Sequence, residues 1–181
     1  MTAILRFIKK HPVSIIFAIL TILVMWLIFS FSAQKSGESS AVSKGVSYFI
    51  SSIIVSGFNK LSEAEKEAKI LSLVPIVRKT AHFLVFCSLG FCSFASVRSF
   101  FIESAKKFKN GLHTAFILLF CLLYAASDEF HQLFVSGRSG EIRDVLIDLG
   151  GAVFGVAIAL AIFTILAKIL PSLKQNKNYQ K

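Results

Sequence analysis

Four long apolar stretches constrain this chain more than any other feature of its sequence. The first, Val13–Ser32, contains no charged residue, and three more follow at about 75–101, 112–135 and 141–170. A hydrocarbon layer about 30 Å thick is crossed by roughly 20 helical residues, so each stretch is long enough to span it. Backbone polar groups in lipid must be satisfied within such a segment, which makes it helical. The sequence therefore predicts an all-α fold, an integral membrane bundle of four transmembrane helices.

Composition supports a single membrane domain. Of the 181 residues, 55% are hydrophobic, only 17% are charged and 19 are Phe, and a soluble core of this size has no room to bury so much apolar surface. The net charge of +10 is not accompanied by a basic stripe or an RNA-binding motif, so we predict no nucleic-acid partner. We interpret Cys87, Cys92 and Cys121 as buried thiols, since none has a recognisable metal-ligand spacing.

The first apolar stretch has two interpretations. Basic residues and a proline precede it, as in a signal peptide, and Ser30 and Ser32 provide a weak cleavage site. The apolar part of a signal peptide is usually about 7–15 residues, however, and this stretch is longer. We therefore predict an uncleaved first transmembrane helix at 13–32.

An amphipathic helical segment is predicted in the connection 33–77, between the first and second spans. Val42, Val46, Phe49 and Ile53 recur at helical spacing, with Ser and Lys residues between them. Such a helix lies on a membrane or packs over the bundle.

Several residues predict where helices begin and end. Ser62 and Glu65 have the spacing of a capping box, which predicts a short helix that Pro75 interrupts, with the second span starting near that proline. Gly137 is a plausible C-cap for the third span, and Pro171 is expected to stop the fourth.

Ionisable residues cluster within segment 124–155, between two apolar runs. An ionisable group at the centre of a membrane helix costs roughly 2.5–3.5 kcal/mol on insertion scales, so a cluster requires mutual pairing or a function. One interpretation is that the charges neutralise each other and fix helix register; the other is a polar pocket for a head group or small ligand. The cluster comprises Asp128, Glu129, His131, Arg138, Arg143, Asp144 and Asp148.

Asp144, Asp148, Gly151 and Gly155 share one face of the fourth predicted helix, because they are spaced i, i+4, i+7 and i+11. Small residues at GxxxG spacing allow a neighbouring backbone to approach closely. We expect the two carboxylates to meet the same neighbour that the glycines pack against.

Arg78, Lys79 and His82 share a face near the start of the second span, within about 100° of one another on a helical wheel. Unpaired charges would be costly at this depth, so we expect Arg78 or Lys79 to lie near Asp128 or Asp144.

The chemistry of the cluster remains open between binding and catalysis. His82 and His131 each suit a structural role, proton transfer or metal ligation, and an imidazole beside carboxylates favours acid/base work for His131. Because there is no HExxH motif and Asp128 with His131 lacks an obvious third ligand, we predict no metal and no cofactor. No GxSxG motif supports nucleophilic hydrolysis.

Charge distribution predicts the orientation of the spans. Eleven basic residues and one acid, Glu103, fall on the side that carries both termini, and the remaining nine bases and nine acids cancel on the other side. By the positive-inside rule, both termini are cytoplasmic and the polar cluster lies at the outer leaflet. The basic residues are Arg6, Lys9, Lys10, Arg98, Lys106, Lys107, Lys109, Lys168, Lys174, Lys177 and Lys181.

The predicted divisions of the chain are a cytoplasmic N-terminus at 1–12, the first span at 13–32, an outer connection at 33–77, a core with three spans at 78–170, and a basic cytoplasmic tail at 171–181.

Four motifs resemble one family of bacterial membrane proteins. FSFSAQ follows the first span, RKTAHF opens the second, and SDEFHQLFVSGR precedes DVLIDLGGAVFG. In content and order, these motifs are similar to the VanZ-like family, whose founding member accompanies glycopeptide-resistance clusters and is associated with reduced teicoplanin susceptibility. Carried over to this chain, the family's polar positions are Gln34, Arg78, Lys79, His82, Asp128, Glu129, Gln132, Arg138, Asp144 and Asp148, with Gly151 and Gly155.

The resemblance implies a bacterial cell-membrane location and an envelope role, but it supplies no reaction. Our first hypothesis is binding of an envelope component, a membrane lipid or lipid-linked precursor head group, with an effect on glycopeptide action. The alternative is an enzyme that modifies such a head group, with Asp128, Glu129, His131 and Asp144 as candidate catalytic residues. Ligand binding would then fall to Arg78, Lys79, His82, Gln132, Arg138 and Asp148. A small proton-coupled transporter is a third hypothesis, disfavoured by the lack of an internal repeat, and the oligomeric state is left open.

The predicted orientation is tested with cysteines introduced at Ser39 and Lys177. An impermeant thiol reagent added to intact cells is expected to label the Ser39→Cys protein and to spare the Lys177→Cys protein, because the basic excess keeps the tail inside. Labelling of the Lys177→Cys protein from outside would reverse the orientation.

Overall fold

The computed structural model describes residues 3–104 and 107–178. Lys106 and Lys181, counted above among the cytoplasmic bases, lie outside the described residues. Within those two ranges there is no β-strand, which confirms the all-α prediction. The helices are α1 (Ala3–Lys10), α2 (Pro12–Ser32), α3 (Ser36–Ile54), a short 3-10 turn (Phe58–Lys60), α4 (Glu63–Glu103), α5 (Asn110–Gln132) and α6 (Ile142–Asn178).

Four helices are long and apolar enough to cross a membrane, as the sequence predicted. They are α2, α4, α5 and the Ile142–Ile169 part of α6. Helix α1 is short, and α3 is the predicted amphipathic helix between the first and second spans. The chain is therefore a multi-pass membrane protein in its architecture.

The expectation that Pro75 separates two helices is wrong. Helix α4 runs through Pro75 as one helix of 41 residues, and the predicted capping box begins it, with Ser62 Oγ accepting from the Glu65 N–H. A proline removes one N–H from the helical ladder, and membrane helices tolerate this where neighbouring elements compensate. At about 1.5 Å per residue the helix is about 62 Å long, twice the hydrocarbon thickness, so only part of it crosses the membrane.

Two other predicted boundaries are also wrong. Helix α6 continues past Pro171 to Asn178. Helix α5 ends at Gln132 rather than at Gly137, which instead adopts a φ of 78° in the turn closed by the Arg138 N–H and the Val135 carbonyl. The positive φ explains the glycine, since other residues are strained in that region.

The core of the bundle is a close contact between α4 and α6. A Cβ atom added at Gly151 would overlap the backbone of Phe83, and one added at Gly155 would overlap the backbone of Cys87. From the other helix, Gly90 lies equally close to the backbone of Ala152. Small residues on both helices therefore allow the two backbones to touch.

Helix α2 packs antiparallel to α4. Ser14 and Ser96 each donate a side-chain hydrogen bond to the other's carbonyl at 3.0 Å. The Glu103 carboxylate accepts from the backbone N–H of Val13 at 2.9 Å, at the start of α2. A carboxylate at a helix N-terminus is favourable, because it satisfies otherwise free donors and opposes the positive end of the dipole. With this end held together, the other end of α2, at Ser32, reaches the His82 level of α4.

Helix α3 turns its polar face inward. Ser43, Ser47 and Ser51 are buried, whereas Val42 and Phe49 are about two-thirds exposed. Small hydroxyl side chains on the inner face allow α3 to lie against α4, and the apolar face is left for a lipid-like environment. The orientation of the amphipathic helix is thus the inverse of that in a soluble protein.

The close approach of α4 and α6 is tested by alanine substitution. Gly155→Ala is expected to lower the Tm of the purified protein, because overpacking costs about 1–3 kcal/mol. Gly150→Ala is the matched control on the same helix, since its added Cβ would have its nearest neighbour 3.8 Å away, an ordinary contact. Thermal unfolding in detergent gives both values. Equal Tm values for the two variants would contradict the close approach.

Candidate polar site at one end of the bundle

A polar cavity of about 180 Å³ lies where the start of α6, the end of α5 and the first half of α4 meet. Although the cavity-lining residues are far apart in sequence, they are brought together by the antiparallel order of the spans. Eight of the lining residues are ionisable, an unusual concentration for a membrane bundle. The cavity is lined by Pro75, Arg78, Lys79, His82, Glu129, Gln132, Gly137, Arg138, Ser139, Glu141, Asp144, Ile147 and Asp148.

An ion pair joins α4 to α6 at this cavity. Lys79 Nζ lies 2.5 Å from Asp144 Oδ1, and both side chains are about one-third exposed. This contact confirms the expectation that Arg78 or Lys79 lies near Asp128 or Asp144. Because both groups remain partly solvated, the pair fixes the position of the two helices more than it adds stability.

Arg138 ties the connection between α5 and α6 to the end of α2. Its guanidinium donates to the carbonyl oxygens of Phe31 and Gln34, both at 3.0 Å, and to Gln132 Oε1 at 3.3 Å. The last carbonyls of a helix have no partner within the helix and favour a cation. Burial lowers the pKa of Arg138, with the charge of Arg78 acting in the same direction, yet an arginine stays protonated in proteins.

The last turn of α5 presents three buried polar side chains. Gln132 Nε2 donates to Asp128 Oδ2 at 3.1 Å and to Glu129 Oε1 at 3.0 Å. Glu129 Oε2 accepts the Glu141 N–H at 2.9 Å, directly before α6. Ser32 Oγ, from α2, donates to Asp128 at 2.8 Å. Gln132 thus holds two carboxylates in place, and one of them, Glu129, also fixes the start of the next helix.

His82, Asp128 and Asp148 form a cluster, one residue from each of α4, α5 and α6. One potential ligand atom from each side chain lies within 4.8 Å of the others, and His82 Nδ1 is 3.7 Å from Asp148 Oδ1. This cluster was not predicted from the sequence, because Asp128 was considered as a partner of His131 on the same helix. The sequence feature that could have predicted the cluster is that each of these three spans carries one of these polar residues on the side that faces the other helices.

The structure does not bring His131 into the cavity. Its ring packs on Phe29 of α2, with ring centroids 4.8 Å apart, and its buried Nδ1 has no hydrogen-bond partner in the described chain. Asp128, buried behind the cavity wall, is not among the lining residues either. The other predicted ligand-binding and acidic residues, Arg78, Lys79, His82, Glu129, Gln132, Arg138, Asp144 and Asp148, all line the cavity.

An apolar pocket of similar volume adjoins the polar cavity. The two share Arg78, His82 and Arg138 as a common wall. Within the described parts of the chain Arg78 forms no ion pair and no side-chain hydrogen bond, so its guanidinium has free donors between a polar and an apolar space. The remaining lining of the apolar pocket is Ile28, Phe31, Gln34, Ser39, Val42, Ser43, Ala81, Val85 and Phe86.

Comparison with known families agrees with this architecture. A family model described as VanZ/LLP1 matches residues 17–166, which include most or all of each of the four spans and every residue of the polar cavity. The chain belongs to the VanZ/LLP1 family. The VanZ-like resemblance drawn from the four sequence motifs is thereby confirmed. No curated protein and no solved structure matched the chain.

A charge swap across α4 and α6 tests the ion pair of this VanZ-family site. Lys79→Asp and Asp144→Lys are each expected to lower the Tm, and their combination is expected to recover part of the loss through a coupling of about 0.5–1 kcal/mol. Arg78→Asp combined with Asp144→Lys is the control, since Arg78 forms no ion pair with Asp144 in the described chain. Recovery in the control alone, or in neither double variant, would contradict the direct Lys79–Asp144 contact.

Proposed function

We propose that this VanZ-family protein binds an amphiphilic component of the bacterial envelope, with an anionic head group in the polar cavity and hydrocarbon in the adjoining apolar pocket. The observation that carries the proposal is the wall shared by the two spaces. A ligand with one polar and one apolar end fits both sides of that wall. A soluble polar ligand would occupy the polar cavity alone and would make no contact with the apolar pocket.

The chemistry of the cavity favours a phosphate with hydrogen-bond donors attached. Arg78 offers free guanidinium donors, which match phosphate oxygens, with Lys79 nearby. Glu129 and Asp144 supply acceptors for hydroxyl or amino groups. Pockets that enclose a whole drug-sized ligand are about 300–1,000 Å³, so a cavity of about 180 Å³ holds the phosphate end of a lipid or lipid-linked precursor rather than an entire precursor.

Orientation determines which envelope components reach the site. The positive-inside rule places the cavity at the outer leaflet, with both termini cytoplasmic. Lipid-linked envelope precursors exposed on that side of the membrane would then reach the site. Binding of such a precursor would account for the reduced teicoplanin susceptibility that the VanZ-like resemblance implies.

Head-group modification is a second candidate function, favoured by the acids of the cavity. His82, Glu129 and Asp148 line the space that a head group would occupy and are suitable proton acceptors or donors. The same ligand position serves either function. The two differ in whether the bound molecule leaves unchanged.

Native mass spectrometry of the purified protein with its co-purifying lipids tests the proposal. Arg78→Gln is expected to lose bound lipid, since a charge-assisted hydrogen bond contributes about 1.5–3 kcal/mol, or roughly 10–100-fold in affinity. Arg143→Gln is the control, because Arg143 is exposed and lies outside the cavity lining. Equal lipid content in the two variants would contradict binding at this site. A head group of altered mass, present with wild type and absent with Glu129→Gln, would favour the enzyme.

The same variants extend the test to whole cells. Expression of the wild type in a susceptible Gram-positive host is expected to raise the teicoplanin concentration needed for inhibition, and Arg78→Gln is expected to abolish the effect while Arg143→Gln retains it. If the wild type gives no protection, the link to glycopeptides is wrong, and lipid binding is judged from the mass spectra alone.

A further inference from the structure

Asp148 is buried without a hydrogen-bond partner in the described chain. Its side chain is fully inaccessible, and both carboxylate oxygens lack a hydrogen-bond partner in the described chain. Asp128, only 5% exposed, lies beside it as a second buried carboxylate. An isolated carboxylate in a protein interior is strongly unfavourable, so two neighbouring carboxylates require a nearby positive charge or protons.

Two of the three arginine and lysine side chains that line the cavity are engaged with other partners, and the third, Arg78, forms no ion pair in the described chain. Arg138 donates to Phe31, Gln34 and Gln132, and Lys79 pairs with Asp144. No described lysine or arginine lies within ion-pair distance of Asp148. His82, at 3.7 Å, is near enough for an ionic contact but beyond hydrogen-bond distance.

We propose that His82, Asp128 and Asp148 bind a divalent transition-metal ion. A single dication would neutralise both carboxylates, and one imidazole nitrogen with two carboxylate oxygens is a suitable donor set for Zn²⁺ or Mn²⁺. Ligands about 2.1 Å from a tetrahedral ion lie about 3.4 Å apart. The three candidate atoms lie within 4.8 Å of one another, so modest side-chain rotations close the site.

The surroundings of Asp128 fit a metal ligand. Ser32 Oγ and Gln132 Nε2 both donate to Asp128 Oδ2, at 2.8 and 3.1 Å. These two hydrogen bonds hold the carboxylate in one orientation and leave Oδ1 for the ion. Such supporting hydrogen bonds are typical of metal sites, and their removal lowers metal affinity or activity by about 10–100-fold.

The proposed ion would have an open side. His82 and Asp148 line the polar cavity, whereas Asp128 lies behind its wall. With two of its three protein ligands in the cavity lining, the ion would keep a coordination position on the cavity side for water or a ligand oxygen, as in catalytic rather than structural zinc sites. The inference does not depend on the proposed lipid, since the three ligands belong to the protein itself. It replaces the sequence-based prediction of no metal site.

Metal content tests the proposal directly. Tag-free protein in detergent is stripped with EDTA, equilibrated with Zn²⁺ or Mn²⁺, freed of excess metal and analysed by inductively coupled plasma mass spectrometry. We expect one ion per wild-type chain and a higher Tm with metal. Asp148→Asn and His82→Gln are each expected to weaken binding by more than about tenfold. His131→Gln is the matched control for His82→Gln, because His131 also lies on a spanning helix but outside the cluster and outside the cavity lining.

Several results would overturn the proposal. Folded wild-type protein that holds no more metal than Asp148→Asn would show that the cluster is only an ion pair between His82 and Asp148. Undiminished binding in both cluster variants would place the ion elsewhere on the chain. Binding of Ca²⁺ or Mg²⁺ in preference to Zn²⁺ and Mn²⁺ would exclude the imidazole ligand. If Asp148→Asn does not fold, His82→Gln and the wild-type titration decide.

Discussion

The contact between the backbones of α4 and α6 is the constraint on which the rest of the structure depends. Gly151 and Gly155 remove the side chains that would hold these helices apart. One and two turns earlier on the same face of α6, Asp148 and Asp144 therefore reach α4, where they meet His82 and Lys79. The glycine contact thus determines the geometry of the polar site, since the distance between the two helices sets the width of the cavity.

The end of α2 completes the site through its backbone as well as its side chains. Phe31 and Gln34 contribute carbonyl oxygens to Arg138, and Ser32 contributes a hydroxyl to Asp128. This arrangement fixes Arg138 between the polar and apolar spaces without the use of a carboxylate. No cavity acid is therefore used to hold Arg138 in place.

Much of this architecture was predictable from physical regularities in the sequence. The length of the apolar stretches predicted four spans, and helical spacing placed Asp144 and Asp148 on the glycine face. The cost of unpaired charges at membrane depth also predicted that Arg78 or Lys79 would lie near Asp128 or Asp144, and Lys79 contacts Asp144. The prediction that Pro75 interrupts a helix was wrong because the loss of one backbone N–H is tolerated in a helix that packs against its neighbours in the bundle. His131 was misplaced because closeness in sequence to Asp128 does not determine which side of a helix a residue occupies. The cluster of His82, Asp128 and Asp148 required the relative positions of three helices, which no single stretch contains.

The unbroken course of α4 has a mechanical consequence. About a third of its length lies before the polar site, and there Lys44 of α3 pairs with Glu67 at 2.8 Å. No loop separates that part of α4 from Arg78, Lys79 and His82, so a tilt of the first turns of α4 also moves the residues that this helix contributes to the cavity. Bending is easiest at Pro75, three residues before Arg78, where the ladder of helical hydrogen bonds lacks a donor. Any bending of α4 is therefore expected at the mouth of the cavity, which Pro75 itself lines.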